Sequence, residues 1–134
     1  MGVDITVVGC QEKPDGDFKT CEYPNPETDA ALAESYKVAK TVPCDVILGT
    51  DPDCDRVAIA VPDGDDFKKL SGNELGCLLL DYLITARRAT GTMPEHPAAI
   101  TTIVSTSMVR RICEVNGIHF DETFTGFKFM AEKL

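Results

Sequence analysis

The stretch that most constrains this chain is Asp45-Val46-Ile47-Leu48-Gly49-Thr50-Asp51-Pro52-Asp53-Cys54-Asp55-Arg56. Its apolar run, Val46 to Leu48, lies between turn signals and has the length of a buried parallel strand rather than a helix. Gly49 ends the run, and carboxylates follow at alternate positions: Asp51, Asp53 and Asp55. Residues spaced i, i+2 and i+4 in a looping backbone can turn the same way, so three oxygens can converge on one hard cation. Open α/β sheets build their sites in loops at the carboxyl ends of strands. Pro52 stiffens the turn, and Arg56 sets a planar guanidinium beside the charge cluster.

Two other readings compete. A calcium-binding EF-hand loop also opens D-x-D-x-D, but it needs Gly at its sixth position and Glu at its twelfth. Arg56 and Pro62 stand there, which rejects it. An acidic solvated turn is the plainer alternative. Against it, three clustered carboxylates repel one another, and a cation is the natural compensation.

With 134 residues, 43% hydrophobic and 26% charged, the composition is globular. The net charge of −9 argues against nucleic acid or an anionic membrane surface as partner. No apolar stretch approaches the ~18 residues of a membrane span. Met1-Gly2-Val3-Asp4 shows no basic leader before an apolar core, so a cytoplasmic location is expected. The 6 cysteines form no C-x-x-C pair, and reduced, mostly buried thiols are expected. Nearby carboxylates disfavour a Cys54 thiolate, so Cys54 does not read as a nucleophile.

In chain order, Ile5-Thr6-Val7-Val8 reads as a strand and 11–27 as loop. Thr28 or Asp29 caps a helix to about Lys40 with Leu32, Tyr36 and Ala39 on one face. Val57 to Val61 is the strand after the acidic loop. A turn at 62–66 returns through Phe67 to Leu70 as its hairpin partner. Ser71-Gly72-Asn73 caps the strongest helix, where Leu75, Leu78, Leu79, Tyr82 and Leu83 predict the buried face. Ala98 to Val104 is a strand. Ser105 or Ser107 caps a helix through Val115, closed by Gly117. Ile118-His119-Phe120 is strand-like, and Thr123 to Lys128 leads into a helical beginning. Neither His96 nor His119 has a partner at ligand spacing. Strand–helix alternation predicts an α/β fold with mixed, largely parallel sheet and a joint near 66–72.

Four stretches together resemble a known family. They are Pro14-Asp15-Gly16-Asp17-Phe18 with Pro24-Asn25-Pro26-Glu27, Thr50 to Arg56, Ser71-Gly72-Asn73-Glu74-Leu75-Gly76, and Thr125-Gly126-Phe127-Lys128. In this order they resemble the α-D-phosphohexomutases, bacterial phosphoglucomutases and phosphomannomutases. The resemblance implies three-layer α/β/α domains, both incomplete here: 1–70 as the C-terminal part of a metal-binding domain II, and 71–134 as the N-terminal part of a sugar-binding domain III. It implies interconversion of glucose 1-phosphate and glucose 6-phosphate through a bisphosphate intermediate. By the same resemblance, Asp51, Asp53 and Asp55 hold Mg²⁺, and Arg56 lies beside the phosphoryl path or simply pairs with the acidic loop. Thr125, Gly126 and Lys128 approach the sugar phosphate, and Lys128 aids proton transfer. No Ser-His-Asn-Pro-type stretch for a phosphoserine is present, and no Gly-Glu-Glu-Ser-type sugar loop follows Lys128. The expectation is therefore a piece that is inactive alone and works with the remaining domains of a parent chain.

Two alternatives stay open: a stand-alone metal- or partner-binding α/β module, and a haloacid-dehalogenase-type phosphatase. The phosphatase family also places Asp-x-Asp after a strand with Mg²⁺, but it wants Thr or Val where Asp55 stands.

Overall fold

The computed structural model describes residues 2–133. They form two compact units, the first running to Gly72 and the second beginning at Asn73.

The first unit carries α1 (Asp29–Ala39), β1 (Ile47–Thr50), β2 (Val57–Asp63) and β3 (Asp66–Leu70). α1 starts as the sequence predicts: Thr28 Oγ1 accepts the Ala31 amide at 3.4 Å, and Asp29 lies at the positive end of the helix. From β3, Lys69 pairs with Asp29 at 2.7 Å and donates to the Glu27 carbonyl, tying the helix start to the sheet. Leu32, 1% exposed, packs with Ile47, Ala58 and Ala60. Burial of this one side chain contributes about 2 kcal/mol. Tyr36 stacks on Phe67 with ring centroids 5.5 Å apart. A Cβ at Gly49 would lie 2.5 Å from Leu32 Cδ2, so the missing side chain lets α1 lie close over β1.

Two expectations for this unit are corrected. The strand at Ile5–Val8 does not form: the segment joins no described sheet, and Ile5 is 80% exposed. Its β-branched residues favour a strand only where a pleated surface exists to pack on. The sheet, ordered β1-β2-β3, is antiparallel throughout, with Thr50 opposite Val57 and Asp63 opposite Asp66. The connections 51–56 and 64–65 are too short for the crossover of roughly a dozen residues that parallel strands require.

The second unit carries α2 (Gly72–Ala89), β4 (Ala98–Thr102), α3 (Met108–Asn116), β5 (His119–Thr123) and α4 (Phe127–Ala131). Here the parallel pairing appears, because α3 supplies the crossover between β4 and β5. The pairing among the described residues is thus mixed, as expected, with its parallel part in this unit. Gly117, at φ 65°, closes α3 in the left-handed conformation its sequence position predicts. Arg88 donates to the Asn116 carbonyl at 2.7 Å, placing a cation at the negative end of α3.

The core joins Cys77, Ile84, Val109, Cys113 and Ile118, with Leu80 and Phe120 packed against them. The predicted stripe on α2 is therefore corrected: Leu75 is buried, whereas Leu78, Leu79, Tyr82 and Leu83 are exposed. α2 is apolar on two sides, and Cys77, Leu80 and Ile84 also keep helical spacing. Packing selects between the two stripes. No described helix is long and apolar enough to cross a membrane, and the 6 cysteines are free thiols.

Candidate metal centre

β1 ends at Thr50, and residues 51–56 turn the chain back into β2. Asp51, only 6% exposed, anchors this loop. Its Oδ1 accepts the Arg56 amide at 3.0 Å, and its carbonyl accepts the Cys54 amide at 3.1 Å. Cys54 takes φ 60°, a left-handed conformation uncommon for a residue with a side chain. Its thiol reaches Thr50 Oγ1 at 3.6 Å. The folded-back loop brings one carboxylate oxygen each from Asp51, Asp53 and Asp55 within 4.8 Å of one another.

Ligands on opposite sides of Mg²⁺ lie about 4.2 Å apart, because each oxygen sits about 2.1 Å from the ion. Asp53 and Asp55 are exposed, and the 4.8 Å limit on the separations within the trio is close to that span. The all-oxygen donor set suits Mg²⁺ or another hard ion. Arg56 Nε lies 3.7 Å from Asp51 Oδ2 and 3.8 Å from Asp55 Oδ1, so the guanidinium pairs with the acidic loop.

The environments of the carboxylates differ. Burial pushes Asp51 up, but the Arg56 amide, the Asp55 carboxyl and the Arg56 guanidinium together hold it below the usual carboxylate range. Asp55 is raised, first by its hydrogen bond with Asp51 and then by repulsion from Asp53 and Asp51. Repulsion of this kind is what a bound cation relieves.

The other candidate residues belong to the second unit. Thr125 and Gly126 form the exposed connection after β5, and Lys128 stands exposed in the first turn of α4. Gly126 has φ 121°, a conformation that side chains rarely adopt. Lys128 Nζ sits 4.7 Å from the Phe129 ring centroid, and Phe124 meets the same ring edge-on at 6.0 Å. Beside this loop lies a cleft of about 500 Å³, lined by Ile103, Thr123, Phe124, Phe129 and Lys133 among others. The candidate residues thus fall into two sets, Asp51, Asp53, Asp55 and Arg56 in one unit, and Thr125, Gly126 and Lys128 in the other.

Sequence reasoning missed the part played by Asn73. Its Oδ1 accepts the Thr106 amide at 3.0 Å, linking α2 to the loop before α3. An Asn at a helix start reads as a cap, and no local signal names a partner 33 residues away.

The family model for phosphoglucomutase/phosphomannomutase α/β/α domain II matches residues 1–64, and the model for domain III matches 71–134. The chain belongs to the α-D-phosphohexomutase family. It is 36% identical over 128 residues to a Mus musculus phosphopentomutase, covering 92% of this chain and 21% of that protein. It is 33% identical over 129 residues to a Staphylococcus epidermidis phosphoglucomutase, covering 96% of this chain and 23% of that protein. An N-acetylglucosamine-phosphate mutase of the α-D-phosphohexomutase superfamily, in its apo form, shares the fold. It superposes with a TM-score of 0.52 at 20% identity over 78% of this chain and 26% of its own. The chain therefore spans only about a fifth to a quarter of the length of these relatives. The family's α/β/α class agrees with helices laid on open sheets in both units.

Proposed function

We propose that these residues form part of a phosphoglucomutase, an intramolecular phosphotransferase that interconverts glucose 1-phosphate and glucose 6-phosphate. On this reading 1–70 is the C-terminal part of the metal-binding domain and 71–134 the N-terminal part of the sugar-binding domain. The observation that carries the proposal is the convergence of Asp51, Asp53 and Asp55 within 4.8 Å, in a chain whose family acts on sugar phosphates. Asp51, Asp53 and Asp55 would hold Mg²⁺, which when bound neutralises charge on a transferring phosphoryl group. Arg56 keeps the acidic loop in shape and offers its exposed face to phosphate. Lys128, exposed on the second unit, binds the sugar phosphate and aids proton movement there.

The chain has no recognisable phosphoserine segment, so on this reading it is inactive without the remaining domains of the parent protein. Free thiols throughout fit a reducing, cytoplasmic setting. Assay of the full-length protein with Mg²⁺ on glucose 1-phosphate and on ribose 1-phosphate tests the reading. Faster turnover of the glucose ester is expected. Preference for the pentose would replace the substrate, and isomerisation by residues 1–134 alone would overturn the claim of a missing reactive group.

A further inference from the structure

We infer that Asn73 is a positioning residue for sugar-phosphate binding, fixing the β4–α3 loop beside the β5–α4 segment that leads to Lys128. The inference rests on the proposed mutase reading and adds to it a residue outside the expected site.

β4 and β5 run parallel with Thr102 opposite Thr123, so the segments that leave them emerge side by side at one end. The Ile103 amide extends the pairing by one bond, to the Thr123 carbonyl at 2.9 Å. That end is the carboxyl end of parallel strands, where open α/β sheets place ligands. One emerging segment is Thr125 to Lys128. The other is the β4–α3 loop, 103–107, and Ile103 and Thr123 both line the cleft at this end.

The β4–α3 loop has local bonds that set its shape. The Ser105 amide donates to the Thr102 carbonyl at 2.9 Å, the two hydroxyls of Thr102 and Ser105 lie 3.3 Å apart, and the Met108 amide donates to Thr106 Oγ1 at 3.3 Å. None of these decides where the loop stands relative to the rest of the unit. The bond from the Thr106 amide to Asn73 Oδ1 is of another kind, because it ties the loop to the first turn of α2. Asn73 is exposed and outside the core cluster, so its removal leaves the packed interior untouched. A loop released from such a tether samples several positions, and substrate must then select the productive one.

The test is steady-state kinetics of the full-length protein with glucose 1-phosphate, alongside amide exchange at Thr106. Asn73→Ala is expected to raise KM about 5- to 10-fold with kcat nearly unchanged, the effect of losing one positioning hydrogen bond. Exchange at the Thr106 amide should accelerate by a similar factor, with the thermal midpoint held. Asn73→Asp keeps the accepting oxygen and should restore both. A parental KM in the Asn73→Ala variant overturns the inference while leaving the mutase reading intact. So does an Asn73→Asp variant that protects Thr106 yet keeps the raised KM. If the unmodified protein isomerises no sugar phosphate, the mutase reading falls and this inference falls with it.

Discussion

The acidic loop and the Thr125–Lys128 segment both follow a strand, yet they are built on opposite plans. The acidic loop bends back on a buried aspartate whose side chain and carbonyl both hold backbone amides, and a guanidinium braces it from outside. The second segment stands in solvent, with Phe127 80% exposed and Lys128 resting on one ring. The contrast follows from the charges. Three like charges stay close only if the backbone forces them to, whereas a lone lysine carries no such repulsion and needs no such constraint.

The sharpest way to break the comparison is to neutralise the first loop. Asp51→Asn, Asp53→Asn and Asp55→Asn together should weaken Mg²⁺ binding at least ~100-fold by titration calorimetry, because a hard cation needs charged oxygen ligands. Equal affinity in variant and parent would remove the metal assignment. Within the parent, acidification should weaken binding as pH falls through the raised value of Asp55, since ion and proton compete for the same oxygens.

Leu32→Ala tests whether the rigidity of that loop comes from the helix packed over β1. It should cost the first unit about 3 kcal/mol by denaturant unfolding, the usual penalty for such a cavity. Amide exchange should quicken across β1 and the acidic loop and leave the second unit unchanged. Lys128→Ala sharpens the opposite side: affinity of the full-length protein for glucose 1-phosphate should fall about 10-fold, the loss of one charge-assisted contact. Its Mg²⁺ affinity and thermal midpoint should stay put.

The smallest effect concerns acid. The Lys133 ammonium at 2.9 Å and the Glu122 amide hold the Asp121 carboxyl below its ordinary range. A folded value below the unfolded one adds stability above the ordinary pKa of about 3.9, and that increment disappears as pH drops through the folded value. Asp121→Asn should therefore lower the melting temperature slightly at pH 7, where the increment is present, and leave it unchanged at pH values below the folded one, so that the acid limb flattens. An unaltered acid limb would show that the pair is screened by solvent.

Much of this was legible in the residues because the signals are local. Alternate aspartates after a short apolar run mark the loop, Thr28 marks a helix start, and Gly117 marks a helix stop. What escaped depends on partners distant in the chain. Ile5, Val7 and Val8 have strand character but join no sheet among the described residues. α2 offers two stripes of equal helical merit, and only the positions of Val109, Cys113 and Ile118 decide that Cys77 and Ile84 turn inward. The hydroxyl serving the start of α3 belongs to Thr106, where Ser105 or Ser107 was the natural choice.

The outward stripe of α2 bears on how the chain behaves in a tube. Leu78, Leu79, Tyr82 and Leu83 present a greasy ridge to water, outside the core cluster of their unit. Polar replacements along that ridge should raise the concentration at which residues 1–134 remain clear. They should also hasten elution from a phenyl column and leave the melting temperature where it was.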